Sequence, residues 1–243
     1  PDLEYAHLPL VLGEDKKRLS KRHAATSLNA YKEMGFTKET IINALALLGW
    51  STENEIFSID ELIESFKLEN VQKAAAVFDL KRFNWVSSQQ LAKLDENSFF
   101  EVIKPFMEDE DISEDYPNYK QILLAMRTSK TNLKDIAHAT RPFFFELDGY
   151  DEKGVKKFLI ESLETLTFAL EVLSKVTEWN ETELDMALIK VRDYFNLPIP
   201  KVNQPMRIAL VGSTVSPSLG LTLELFGKEK SLERIQKAID FIS

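Results

Sequence analysis

Along most of this chain, apolar residues recur at spacings of three and four, the period of an amphipathic α-helix. Thr37 precedes Ile41, Ile42, Leu45, Leu47 and Leu48, and Gly49 follows. The spacing predicts a helix capped by Thr37 and stopped by Gly49. Ser58-Ile59-Asp60-Glu61 reads as a capping box, in which hydroxyl and carboxylate each satisfy a free backbone N–H. It opens a helix through Leu62, Ile63 and Phe66, and Asn180 with Glu183 repeats the device before Met186, Leu188, Val191 and Phe195. Leu163, Leu166, Leu170 and Leu173 space another helix, and Ser231 is placed to cap a last one through Ile235, Ala238, Ile239 and Ile242. Arg207 to Val211 is apolar but too short for its period to choose helix over strand. Leu197-Pro198-Ile199-Pro200 reads as a stiff connector. The chain is predicted to be mainly α, with short turns.

Composition narrows the class. The 243 residues, 44% apolar, suffice for one large or several small cores. The absence of Cys removes disulfides and thiolate-zinc sites, and His7, His23 and His138 are too scattered for a metal site, so none is expected. No run approaches the roughly 18 apolar residues of a membrane span, and there is no signal-peptide pattern, so no membrane role and a cytoplasmic location are expected. The net charge of −9 argues against nucleic-acid binding by the molecule as a whole. Phosphate contact needs only a local basic face, however, and the charges segregate. Glu108 to Asp111, with Glu114 and Asp115, form an acidic run that reads as a solvated loop. Lys16, Lys17, Arg18, Lys21 and Arg22 place five cations in seven positions, with Leu19 and Ser20 between them. Such a loop repels itself unless anions are present, and it can steady charge developing on a triphosphate. Taken alone it reads equally as a solvated basic loop.

Other candidates are read structurally. Phe143, Phe144 and Phe145 are expected to be core aromatics at a helix start, and Trp50, Trp85 and Trp179 core as well. Lys153, Lys156 and Lys157 fit a solvated helix face, and His138 fits a structural role. Arg207 has two readings, an RNA contact or a buried ion pair.

Five motifs in order add a resemblance. Arg18-Leu19-Ser20-Lys21-Arg22 resembles the KMSKS loop of class I aminoacyl-tRNA synthetases, in the form used by glutamyl-tRNA synthetases. Before it stands His7-Leu8-Pro9-Leu10. After it come Asn43 to Trp50 (NALALLGW), Val77 to Trp85 (VFDLKRFNW), and Gln204 to Gly212 (QPMRIALVG) with Leu225 to Glu229 (LFGKE). Each is similar to the family segment in the same order.

The resemblance implies that Lys21 contacts the ATP phosphates, with Ser20 as adjacent hydroxyl, Arg18 as first cation where the family more often has Lys, and Arg22 closing the loop. It implies a remnant of a Rossmann-like catalytic domain over residues 1–24, a stem-contact domain over 25–100, and an all-helical anticodon-binding region over 101–243 with a further split near 160. The family's His–Gly ATP motif has no counterpart, because none of the three histidines precedes Gly. The chain therefore reads as a C-terminal fragment that should not adenylate glutamate alone. ATP and magnesium belong to the full-length enzyme, with none expected bound to the fragment. Glutamate and ATP would be engaged through the missing half. The resemblance also implies a tRNA for glutamate as partner and a monomer. Residues Ala125 to Lys134 are the candidate anticodon reader; Arg127 matches the family's first Arg, and Ser129 stands where a second is common, with Lys130 beside it. Loss of that second guanidinium implies that the tRNA for glutamine is charged too. A stand-alone helical module binding RNA or protein without catalysis is the alternative, and a structural helical interaction protein a third. The basic leader, residues 1–24, is expected to be mobile without a supporting core.

Overall fold

The structure, a computed structural model, describes residues 5, 7, 9–19, 27–50, 52 and 54–243. Ser20, Lys21 and Arg22, and much of the leader expected to be mobile, lie outside the described residues.

Two compact units are present, one of residues 1–111 and 130–138, the other of 112–129 and 139–243. The first begins with a pair of two-residue parallel strands, β1 (Val11–Leu12) and β2 (Ala76–Val77), in which Val11 faces Ala76. Its helices are α1 (Leu28–Glu33), α2 (Lys38–Ala46), α3 (Ile59–Ser65), α4 (Leu80–Lys93) and α5 (Glu96–Asp109). Thr37 caps α2 by accepting from the Thr40 N–H, and Gly49 turns the chain at a φ of +89°. Both bonds of the capping box form: the Glu61 N–H donates to Ser58 Oγ, and the Ser58 N–H donates to Glu61 Oε2 at 2.7 Å. The core joins Ala44, Leu47, Trp50, Phe57, Leu62, Phe78, Phe83 and Val86. Tyr31 and Phe36 press their rings on Phe83 at 5.0 and 4.8 Å between centroids.

Buried polar groups stitch this unit. Asn43 Nδ2 donates to the Glu55 carbonyl, and Asn43 Oδ1 accepts from the Phe57 N–H and from Gln90 Nε2 at 2.7 Å. The short, irregular stretch 54–57 cannot pair its own backbone, so a side-chain amide substitutes for a strand neighbour.

The second unit is built from helices alone among the described residues: α6 (Tyr119–Met126), the end of α7 (Leu133–Phe144), a single turn α8 (Glu152–Gly154), then α9 (Leu163–Ser174), α10 (Glu181–Phe195), α11 (Ile199–Val211), α12 (Leu219–Phe226) and α13 (Lys228–Ile242). A π-helical turn, Val155–Leu159, and a 3₁₀ turn, Ile160–Ser162, join α8 to α9. Helices α9 to α13 pack together over a core of Leu166, Leu173, Leu184, Met206, Leu223 and Ile235, all fully buried.

The structure corrects several local readings. Residues 197–200 are not a connector: Pro198 is the N-cap of α11 and Pro200 sits in its first turn, where a missing N–H costs nothing. The ambiguous 207–211 segment completes that helix. The last helix starts at Lys228, because Gly227, at φ +76° and ψ 165°, makes the break that other residues resist. Ser231 is therefore buried inside α13, and its hydroxyl donates to the Leu223 carbonyl. Asn180 accepts from the Glu183 N–H, but its own N–H goes to the Glu178 carbonyl, not to the Glu183 carboxylate. Phe143 to Phe145 close α7 rather than open a helix; Phe143 is core, stacked on Phe226 at 4.6 Å. Trp85 is 43% exposed, on the outer side of α4, whereas Trp50 is buried.

Candidate nucleic-acid interface

The described part of the basic loop is tied down from both ends. The Gly13 N–H donates to the Lys17 carbonyl at 2.8 Å, the Leu19 N–H to the Val11 carbonyl at 2.9 Å, and the Lys17 N–H to Asp15 Oδ1. Lys16 turns the chain at a φ of +61°. Val11 and Leu19 rest against the first unit's core, while Lys16, Lys17 and Arg18 are exposed. Three cations are thus held outward by a backbone turn, an arrangement that can meet an anion without desolvating any of them beforehand.

The candidate reader divides between the two units. In the second, α6 ends at buried Met126, whose carbonyl accepts from the Ser129 N–H at 2.9 Å. Arg127 is half-buried, and the Ser129 Oγ is buried with no hydrogen-bond partner. In the first, residues 130–134 are clamped onto the helices. The Leu133 N–H donates to the Gly35 carbonyl at 2.9 Å, Thr131 Oγ1 donates to Asn84 Oδ1, and Ser87 donates to the Thr131 carbonyl. Asn132 caps α7 by accepting from the Asp135 N–H at 2.8 Å. Gly35, at φ +84°, is required here, because a Cβ would lie 2.5 Å from the Lys134 nitrogen. Lys130 is half-buried at the start of this clamp.

Arg207 projects from α11 in the second unit. Its Nε donates to Ser216 Oγ at 3.1 Å and its Nη2 to the Pro217 carbonyl at 3.3 Å. No carboxylate pairs with it among the described residues. Partial burial pulls its pKa down, because the charge has lost water without gaining an anion. Lys153, Lys156 and Lys157 are exposed, as a solvated face requires. His138 is exposed too, with Nδ1 at 3.1 Å from Glu110 Oε1, at the acidic end of α5.

Among the described residues no group of His, Asp or Glu could hold a metal ion, and no helix is long and apolar enough to cross a membrane. Sequence reasoning missed the Gly35–Leu133 clamp, whose partners are about a hundred residues apart and carry no local signal. It also missed a cavity of about 410 Å³ in the first unit, lined among others by Leu47, Trp50, Phe78 and Phe83, with the Arg82–Glu55 ion pair among its lining groups.

Comparison with known proteins bears on these residues. Residues 89–239 match the family model described as an anticodon binding domain, and residues 1–85 match that of the class I tRNA synthetase (E and Q) catalytic domain. The chain is 38% identical over 245 residues to a glutamate–tRNA ligase of Syntrophotalea carbinolica, and 35% identical over 246 residues to that of Thermodesulfovibrio yellowstonii. Each match covers 98% of this chain and 52% of the relative, so the chain spans about half the length of the curated relatives it matches. Crystal structures of glutamate–tRNA ligases from Elizabethkingia meningosepticum and Elizabethkingia anophelis superpose with TM-scores of 0.76 and 0.73, at 28% and 29% identity. Each covers 99% of this chain and 52% of the other.

Proposed function

The chain belongs to the anticodon binding domain family over residues 89–239 and matches the class I tRNA synthetase (E and Q) catalytic domain model over residues 1–85, and on that premise we propose that it is the tRNA-gripping part of a glutamate–tRNA ligase. In the whole enzyme, glutamate and ATP would form glutamyl-adenylate and pyrophosphate, and the glutamyl group would then pass to the tRNA 3′ end, releasing AMP. Magnesium would screen the triphosphate. This chain's share is the basic loop, in which Arg18, Ser20 and Lys21 would meet the ATP phosphates and Arg22 the tRNA. Residues 25–100 would contact the tRNA stem, and residues 101–243 the anticodon region. A cytoplasmic location suits a chain without Cys, and the monomer is what the family resemblance implies.

The observation that carries the anticodon assignment is Arg207. It is a half-buried guanidinium held only by neutral groups, so its charge is left for RNA. Unpaired anticodon bases offer acceptor edges that such a fork can read. Arg127, Ser129 and Lys130 supply the second contact region. Titration of the chain with tRNA tests the reading: Arg207→Met should weaken binding by about 1.5–3 kcal/mol, as expected for a charged hydrogen bond. Unaltered affinity would remove Arg207 from the interface.

Ser129 carries the finer specificity. A short hydroxyl, buried and unpartnered, offers no charged fork against a wrong third anticodon base. We expect the full-length enzyme to glutamylate the tRNA for glutamine as well, and Ser129→Arg to suppress that product selectively. A charging assay in which only the tRNA for glutamate reacts with the unaltered enzyme would refute this.

A further inference from the structure

A buried cation needs either an anion or enough acceptors to replace its water. Arg234, on α13, is 2% exposed, yet it makes no ion pair among the described residues. Its two terminal nitrogens donate instead to backbone carbonyls, Nη1 to Leu210 and Nη2 to Phe145 at 2.6 Å. The guanidinium lies 4.6 Å from the centre of the Phe226 ring.

Both carbonyls belong to helix C-termini. Leu210 is in the last turn of α11, and Phe145 directly follows the last residue of α7. Such carbonyls have no intrahelical donor left to them. Each helix end also carries roughly half a negative elementary charge. One guanidinium therefore caps two helices at once. The two dipole ends take the place of a directly paired carboxylate, Glu146 and Glu233 add longer-range attraction without pairing with it, and Nε is left without an acceptor among the described residues.

The position of this cap matters for recognition. Arg207 precedes Leu210 on α11 by less than one turn. Beyond Leu210, Gly212 reverses the chain at a φ of +71°, and its carbonyl accepts from the Asp151 N–H at 2.8 Å. A Cβ at Gly212 would fall 2.7 Å from the Gly149 carbonyl oxygen, so the turn has no slack. The chain then returns through Ser216 and Pro217 to the Arg207 guanidinium. The Leu210 carbonyl is thus joined through one tight turn to both partners of Arg207.

We propose that Arg234 is a positioning residue for RNA recognition: by capping α7 and α11 together it fixes Arg207 and the 212–217 turn in the arrangement that reads bases. The proposal rests on the tRNA-binding reading above. The test compares affinities of the chain for the tRNA for glutamate and for the same transcript with its anticodon replaced. In Arg234→Met the ratio of the two should fall about tenfold, which corresponds to ~1.4 kcal/mol, while binding of the altered transcript stays unchanged. Arg234→Lys keeps a charge and several donors, so it should retain more of the ratio. A purely structural role would lower the folded fraction and weaken both transcripts equally. A folded Arg234→Met chain with an unchanged ratio overturns the proposal. Should that variant not fold, Phe226→Leu, which removes the ring beneath the guanidinium together with its stacking on Phe143 but keeps an apolar side chain there, carries the test: a reduced ratio in the folded variant supports the proposal and an unchanged one overturns it. If the unaltered chain fails to distinguish the transcripts, the functional reading has failed rather than the role of Arg234.

Discussion

The two units solve the same problem, the pairing of buried backbone groups, by different means. The second unit uses long helices that satisfy their own interiors, so only the ends need help: Asn180 at the start of α10, Gly212 and Arg234 at the end of α11. The first unit combines two 14-residue helices, α4 and α5, with the short α1 to α3, two-residue strands and irregular connections. Its pairing falls to side chains, with Asn43, Gln90, Thr40 and Ser87 buried for that purpose. A core of the second kind tolerates loss of volume better than loss of a polar group. A core of the first kind depends on groups that have no apolar substitute.

The largest expected effect tests that contrast. Asn43→Ala strands the Phe57 N–H and the Glu55 carbonyl and takes one of two acceptors from the Gln90 amide, which keeps the Phe57 carbonyl, and should destabilise the first unit by about 4 kcal/mol, at roughly 1–3 kcal/mol per unpaired group. Leu173→Ala, which leaves a dry cavity in the second unit, should cost about 3 kcal/mol. Denaturant unfolding can follow the units separately, through the fluorescence of buried Trp50 and of Trp179. The opposite order of sensitivity would break the comparison. Gly35→Ala comes next: a Cβ against the Lys134 nitrogen, at a positive φ, should loosen residues 131–134 and lower stability by about 2 kcal/mol. Faster amide exchange at Leu133 would mark the loosened clamp.

The smallest effect is electrostatic. The hydrogen bond from Lys237 holds the Glu146 carboxyl below its usual value of 4.5. A depressed folded-state pKa adds stability that is present above pH 4.5 and lost as the pH falls through the folded value. Both partners are more than half exposed, so the effect is screened. Acid titration of Glu146→Gln should show a slightly shallower loss of stability below pH 4.5, and an unchanged curve would discount the pair.

The same contrast explains what could be read from the sequence. In the second unit α9, α10 and α13 follow from apolar spacing, whereas α11 does not, because Pro198 and Pro200 read as a connector and 207–211 is too short to show a period. Ser231 looked like a cap because a Ser before an apolar run usually is one, but Gly227 broke the chain four residues sooner. In the first unit the spacing and caps showed α2 and α3, but the strands and the connections left no periodic trace. Val11 and Ala76 are strand partners 65 residues apart, in strands too short to alternate. Asn43, Gln90 and Gly35 act through distant backbone groups, and only the ordered motifs flagged their neighbourhood. Of the candidate site, Arg18, Arg127 and Arg207 were named from the motifs. Arg234 was not, since a lone arginine on an amphipathic helix reads as part of its solvated face.

Equilibrium binding of this chain to the tRNA for glutamate, set beside the same transcript with a replaced anticodon and repeated at two salt concentrations, tests the central claim most directly. The native transcript should bind about tenfold more tightly, ~1.4 kcal/mol, with both affinities falling as salt rises because phosphate contacts release counterions. Equal affinity for the two transcripts, or binding that ignores salt, would contradict that claim.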